Sequence, residues 1–350
     1  MRTVRIVLVC AVLVLGVVAG AMFLRSDAAQ GAPLAGDGSQ LTIPQPEPSD
    51  ASGRIWRPAP TGRTLVAGSA EHPLLNPFKV QVVSDGRIFV LDFGDRSVKE
   101  FSATGALVRT YGIGDGRGPG ELLNPTDFFV SDRGEVWILD PAQGRIMIFD
   151  HEALPLRTIP VGVPAIRLMG LPDNSYVLMA AGEKLFSRYT PAGDLVHSFG
   201  QFVEDQLRQG IALQGDIARI GEKDLIYAPL RAGYIARFSA EGELRYYKET
   251  VDRLPYPGVE AMPSGGVRIA PESRGQVATR SVSVLGDEVY LLTPGARVDG
   301  QRVSVADVYD GRDGSYRYSF RISEEGTQSI AVTPSDIFMV ADTSVTRWHR

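Results

Sequence analysis

Residues 80–111 read VQVVSDGRIFVLDFGDRSVKEFSATGALVRTY. A short apolar run, Val80 to Val83, meets an Asp85-Gly86 turn, and an alternating run follows from Ile88 to Leu91. A loop then leads to Val98 through Phe101, Gly105 marks a second turn, and Leu107 to Tyr111 closes the unit. Asp-Gly between apolar runs is a tight-hairpin signal, because glycine reaches the positive φ that such turns require without steric cost. Four short runs separated by turns therefore predict four antiparallel strands.

The same sentence returns along the chain. Its third-strand endings align as Val98 to Phe101, Ile146 to Phe149, Phe186 to Tyr189, Ile235 to Phe238, Ala306 to Tyr309 and Val345 to Trp348. Their terminal aromatics lie about 40 to 50 residues apart except between Phe238 and Tyr309, where an insertion accounts for the longer gap. That period, with four strands per unit, predicts an all-β, six-bladed β-propeller of four-stranded antiparallel blades. Gly105, Gly193, Gly242 and Gly314 follow the aromatics at the hairpin position, whereas the second copy lacks such a glycine and is expected to turn differently over His151 to Ala153. The sixth copy reaches Arg350 after three strands, and Arg63 to Ala67 stands unpaired before the first. Pairing the two would close the ring, remove an exposed edge and bury Leu65 and Val66. The recurring aromatics are expected to pack between blades.

The stretch Tyr111-Gly112-Ile113-Gly114-Asp115-Gly116-Arg117-Gly118-Pro119-Gly120-Glu121, followed by Asn124-Pro125, resembles the link between blades of NHL-like six-bladed propellers. Val136 to Asp140 with Gly144-Arg145-Ile146 resembles them too, and the likeness extends over nearly all of residues 63–350. It implies a closed ring whose ligands meet the face around the channel mouth. The glycine run matches neither dinucleotide nor nucleoside-triphosphate loop spacing, and no helical pattern follows it. It reads as a turn-rich connector.

The net charge is −5; Arg2, Arg5 and Arg25 outweigh Asp27 by two, so residues 31–350 carry −7. Such a surface, without a basic cluster interleaved with aromatics, predicts no nucleic-acid partner. The single cysteine, Cys10, precedes the blades, so the propeller is expected to hold neither a disulfide nor a thiolate metal site. Ile6 to Leu24 contains no charge and follows Arg2 and Arg5, the pattern of a hydrophobic helix whose start stays in the cytoplasm. At 1.5 Å per residue it reaches roughly 28 Å, close to the thickness of a bilayer core. The expected order is a cytoplasmic start (1–5), a single-pass anchor (6–24), a Pro/Gly/Ser spacer (25–62) and a monomeric extracytoplasmic propeller (63–350). Cleavage at Ala19-Gly20-Ala21 would release a secreted form instead.

Loops joining second to third strands, and each blade to the next, emerge on one face. That face is expected to display Asp92, Asp95, Arg96, Asp115, Arg117, Glu121, Asp140, Arg145, Arg231 and Asp342, with two excursions, Val251 to Gln276 and Pro294 to Gln301. Asp92, Asp140 and Asp342 are read as one recurring blade position, where Ala180, Ala228 and Thr293 stand in the other blades. Three such carboxylates could form a Ca²⁺-binding crescent, or each could cap its own loop by accepting backbone N–H bonds. The four histidines His72, His151, His197 and His349 show no zinc-ligand spacing, and no nucleophile elbow or cysteine nucleophile is present. The sequence points to a binding propeller for a protein, peptide or glycan, with a Ca²⁺-assisted lyase or lactone hydrolase of the gluconolactonase-like kind as its rival.

Overall fold

A computed structural model of the chain describes residues 53–202, 210–263, 266–298 and 301–350. The chain divides into Met1–Gln40 and Leu41–Arg350. The first of these units and the anchor expected over residues 6–24 lie outside the described residues, among which no helix is long and apolar enough to cross a membrane.

Strand β1 is Thr61–Ala67. Blade 1 comprises β2 (Pro77–Val82), β3 (Ile88–Asp92), β4 (Ser97–Phe101) and β5 (Leu107–Tyr111). Blade 2 comprises β6 (Asp127–Val130), β7 (Val136–Asp140), β8 (Arg145–Phe149) and β9 (Pro155–Pro160). Blade 3 is β10 (Ala165–Gly170), β11 (Tyr176–Ala180), β12 (Phe186–Tyr189) and β13 (Leu195–Phe199). Blade 4 is β14 (Gly215–Ile220), β15 (Asp224–Pro229), β16 (Tyr234–Phe238) and β17 (Leu244–Glu249). A small hairpin, β18 (Val259–Ala261) with β19 (Val267–Ile269), then precedes blade 5: β20 (Ser281–Leu285), β21 (Glu288–Val298), β22 (Gln301–Asp310) and β23 (Tyr316–Arg321). Blade 6 runs β24 (Ser329–Val332), β25 (Asp336–Ala341) and β26 (Ser344–His349), and β1 pairs antiparallel with β26 as its outer strand.

The propeller is therefore six-bladed and closed by its N-terminal strand. Second strands such as β3 and β7 are buried along their whole length, so they read as continuous apolar runs; each is covered on both faces by neighbouring blades. Buried apolar residues form six clusters, one at each junction, including one that joins Val66, Phe338 and Val345 of blade 6 to Ile88, Val90 and Phe101 of blade 1. The recurring aromatics all sit in or against these clusters.

Two sequence expectations need correction. Leu65 is 45% exposed, while Val66 and Ala67 are each 3% exposed, because β1 lies at a sheet edge and only its last two residues, at an irregularity in its pairing with β26, turn onto the core. The second blade's hairpin also keeps the ordinary form: Ala153 adopts φ 66° and donates its N–H to Asp150 O, as Gly105 does to Ser102 O. Holding alanine there costs about 1–2 kcal/mol. Gly105 has less latitude, since a Cβ would stand 2.6 Å from Val66 O on the closing strand.

The spacer expected over 25–62 lies mostly outside the described residues, but its last part is docked. Arg57 donates its N–H to Ser319 O and Ser319 donates to Ile55 O, so residues 55–57 run parallel along the edge strand β23. Arg54 lies beneath them with a fully buried side chain, bonded to Asp307 through Nε (2.8 Å) and Nη2 (2.8 Å) and to Asp252 through Nη1 (2.7 Å) and Nη2 (2.5 Å). Burial alone would lower its pKa; hydrogen bonds to both carboxylates outweigh that and raise it.

Candidate functional site

Strand pairing fixes which residues are equivalent. One position near the start of the first strand is occupied by Lys79, Asp127, Arg167, Asp216, Ser281 and Ser329, because these pair with Leu91, Leu139, Met179, Ala228, Leu292 and Val340 in register. Going round the channel the order is cation, anion, cation, anion, hydroxyl, hydroxyl. Lys79 pairs with Asp127, Arg167 Nε meets Asp216 Oδ1 at 3.1 Å, and the Ser281 and Ser329 hydroxyls stand 3.4 Å apart.

The ring also stitches blade to blade. Asp127 accepts the Leu168 N–H at 2.9 Å, Asp216 the Val282 N–H at 2.8 Å, Ser281 the Ile330 N–H at 3.3 Å and Ser329 the Val80 N–H at 3.4 Å. One layer deeper, Gln81 accepts from Val130 and Ser283 from Val332. First strands of adjacent blades splay apart, so their inward N–H groups need side-chain partners, and this ring supplies them. Phe78, Lys79, Arg167, Asp216, Arg280, Ser281, Gln328 and Ser329 line a hollow of about 10 Å³, room for about one water.

The ten residues expected on the mouth face serve largely other ends. Asp92 and Asp140 are fully buried caps. Asp92 accepts N–H bonds from Leu75 (2.9 Å), Asn76 (2.8 Å) and Gly94 (3.1 Å), plus Lys99 Nζ (3.0 Å). Asp140 accepts from Leu123 (2.8 Å), Asn124 (3.0 Å) and Gln143 Nε2 (2.7 Å). Burial works against ionising Asp92, but the Asn76 and Leu75 N–H groups and Lys99 more than reverse it, leaving its pKa below the ordinary value. Asp342 is not their counterpart: register places Ala341 there, and Asp342 is an exposed turn residue at φ 48°. In blade 4 the matching residue is Pro229 rather than Ala228, which lies opposite Asp216.

Asp95 takes Ser97 Oγ (2.6 Å) and Lys99 Nζ (2.5 Å), and Arg96, at φ 57°, pairs with Asp115. Glu121 accepts the Gly118 N–H at 2.6 Å, while Arg145 donates to its main-chain oxygen at 2.7 Å. Arg231 donates to Arg274 O (2.9 Å) and Gln276 O (3.0 Å), fastening the 251–276 excursion; burial holds its pKa below the usual guanidinium value. Arg117 is exposed. The structure thus gathers Asp92, Asp95, Arg96, Asp115, Glu121, Asp140 and Arg145 into the loops of blades 1 and 2, with Arg231 on blade 4 and Asp342 on blade 6. The Ca²⁺ crescent does not fit: Asp92 and Asp140 spend their lone pairs on separate connectors, and among the described residues no three His, Cys, Asp or Glu side chains are placed to hold a metal. The expected Pro294 to Gln301 loop is largely a continuation of β21 and β22, which stay paired to Val298 and Gln301.

The channel ring itself escaped sequence reasoning. The caps did leave a signal: Leu-Leu-Asn-Pro occurs at 74–77 and again at 122–125, and its second Leu and its Asn lie seventeen and sixteen residues before the capping Asp.

A family model described as a 6-bladed beta-propeller (DUF5128) matches residues 70–186. No curated protein matches the chain. Among solved structures, a Bacteroides fragilis protein described as exported superposes with a TM-score of 0.58 at 11% identity, covering 83% of this chain and 94% of that one. Virginiamycin B lyase from Staphylococcus aureus gives 0.51 at 10% identity over 83% and 99%, and a streptogramin B lyase gives 0.51 at 13% over 88% and 95%. At these identities the similarity carries the architecture alone: a six-bladed propeller of four-stranded antiparallel blades.

Proposed function

We propose that the protein is a binding propeller of NHL-like type, held outside the cytoplasmic membrane by residues 6–24, that engages a protein, peptide or glycan on its mouth face as a monomer. One observation carries this reading: the channel is lined near its mouth by a ring whose ionic members are paired, around a hollow of about 10 Å³. That hollow is too small to enclose a substrate among converging acid–base groups, as an enzyme site of this kind needs. Ligands then meet the outer surface of the mouth, where exposed Leu75, Ile113 and Arg117 sit in the connectors and the hairpin of β18 and β19 projects from the excursion after blade 4. The Bacteroides fragilis protein described as exported is in keeping with an extracytoplasmic setting.

The lyases of similar fold suggest the rival reading. Against it, His197 lies in the outer strand β13, and His349 pairs with Asp336 at the end of β26, opposite the mouth face. The test is site-specific photo-crosslinking in the native host. Probes at Ile113 and Arg117 should capture a partner, whereas probes at Leu154 and Leu195, in hairpins of the opposite face, should not. Equal capture at both, or stoichiometric metal that survives dialysis, would overturn the reading. Retention of the intact chain in membranes after alkaline carbonate washing tests the anchor; a mature start near Met22 would replace it with a cleaved signal.

A further inference from the structure

We infer that residues 54–57 are a strain-relief clasp: a pull arriving along the N-terminal chain is taken up by blade 5, so that the strand closing the ring is spared. This rests on the tethered reading above, since a chain fixed at its N-terminus delivers such a pull.

The closing strand is poorly built to resist force. Five of the seven residues of β1 are exposed, and only Val66 and Ala67, at its far end, are buried. Its pairing with β26 is irregular between Thr61 and Thr64 and again between Leu65 and Ala67. A load entering at Thr61 meets the pairs one at a time, beginning with Thr61 and His349, so each resists alone. Once β1 peels away, the cluster that joins blade 6 to blade 1 loses Val66 and Ala67, and an unpaired edge is exposed.

The segment just ahead of it is built the opposite way. The wholly buried Arg54 side chain forks across Asp307 and Asp252, whose side chains are 2% and 18% exposed. Thr293 Oγ1 at 3.1 Å and the Ser319 hydroxyl hold Asp307 in turn. A second line of bonds reaches the same carboxylate from the main chain: Ile55 N–H donates to Tyr316 Oη at 2.9 Å, Tyr316 lies 2.7 Å from Ser319 Oγ, and Ser319 donates to Asp307. Because the Ser319 proton goes to Asp307, the Tyr316 proton must go to Ser319, and the line runs one way. The Arg57 guanidinium stands 3.6 Å from the centre of the Tyr318 ring. Withdrawing Arg54 would strand a buried carboxylate, so these contacts yield together rather than in turn. Only Pro58, Ala59 and Pro60 separate the clasp from β1, and three residues span at most about 11 Å. No slack loop lies between them, and β1 feels no pull until the clasp lets go.

The full-length protein with Cys10→Ala, so that handles attach only where placed, is pulled in optical tweezers between Arg117→Cys on the mouth and a second handle on the N-terminal chain. With the second handle at Gln30→Cys the pull passes through the clasp; at Pro58→Cys it enters behind it. The first loss of blade structure is expected at a force about twofold higher from position 30 than from position 58, because a buried fork must be broken first. Arg54→Ala should abolish that difference by lowering only the value from position 30. Arg54→Lys, which keeps the charge without the fork, should fall between. Equal forces from the two handles in the parent would overturn the clasp. So would an Arg54→Ala protein in which both forces drop alike, since Arg54 would then serve only overall stability. Neither result alters retention in membranes after carbonate washing, on which the tethered reading stands. A mature start near Met22 would remove the tether, and this role with it, while leaving the force difference intact.

Discussion

Blades 1 and 2 fix their incoming connectors from within, whereas blade 5 is fixed from far away. In the first two, a carboxylate at the end of the second strand takes the paired N–H groups of the connector that starts the same blade, sixteen or seventeen residues upstream. In blade 5 the buried Asp307 is answered by Arg54, which crosses from the N-terminal segment and reaches Asp252 in the excursion between blades 4 and 5 as well. Short connectors let a local cap suffice. Where blade 4 ends in a long insertion, the fold borrows a cation that ties three distant segments together.

The contrast can be broken at several strengths. The largest effect is expected from removing residues 1–68, which takes the closing strand with its backbone bonds, each worth about 1 kcal/mol net, and buried Val66, worth roughly 1.5–3 kcal/mol. That sum approaches the total stability of about 5–15 kcal/mol typical of a domain. The shortened chain should aggregate, while removal of residues 1–53 should leave a cooperative thermal transition at the parental temperature. Equal behaviour of the two in calorimetry would refute ring closure by β1.

Next comes Arg54→Ala, which strands buried Asp307 and should cost about 3–5 kcal/mol in denaturant melts. A loss below about 1 kcal/mol would mean that the long-range clamp contributes no more than an exposed ion pair. Asp92→Ala and Asp140→Ala should each cost about 1–3 kcal/mol by orphaning two connector N–H groups. Because the folded pKa of Asp92 is depressed, its contribution is present above about pH 4 and disappears as pH falls through the folded value. Asp92→Asn should therefore flatten the acid limb of melting temperature against pH; an unchanged limb would remove Asp92 from that role. The smallest effect belongs to Asp342→Gly, within about 0.5 kcal/mol of the parent, since the residue is an exposed turn at positive φ. A loss matching that of Asp92→Ala would restore Asp342 to the capping set.

What the sequence revealed follows the same division. Blades and closure were legible because hairpin turns demand glycine or Asp-Gly and because period-two apolar runs recur at a fixed spacing. The caps at Asp92 and Asp140 were visible as one of two alternatives, and the repeated Leu-Leu-Asn-Pro would have decided between them. The ring was invisible because Lys79, Asp127, Arg167, Asp216, Ser281 and Ser329 share a place but not a chemistry, and only strand register aligns them. Asp342 and Ala228 were each misaligned by one residue for the same reason. Arg54 gave no signal at all, since a lone arginine before a proline-rich stretch has no periodicity to betray its burial.

Thr61 pairs with His349, so the first strand of the fold waits for nearly the last residues before it has a partner. During synthesis five blades can assemble while the ring stays open, with the apolar junction between blades 6 and 1 uncovered. Contacts so remote in sequence form slowly, and unpaired strand edges in the interim invite self-association. A rate-limiting final step is the consequence: refolding should show early formation of sheet signal and a late phase in which Trp348 fluorescence and protease resistance appear together.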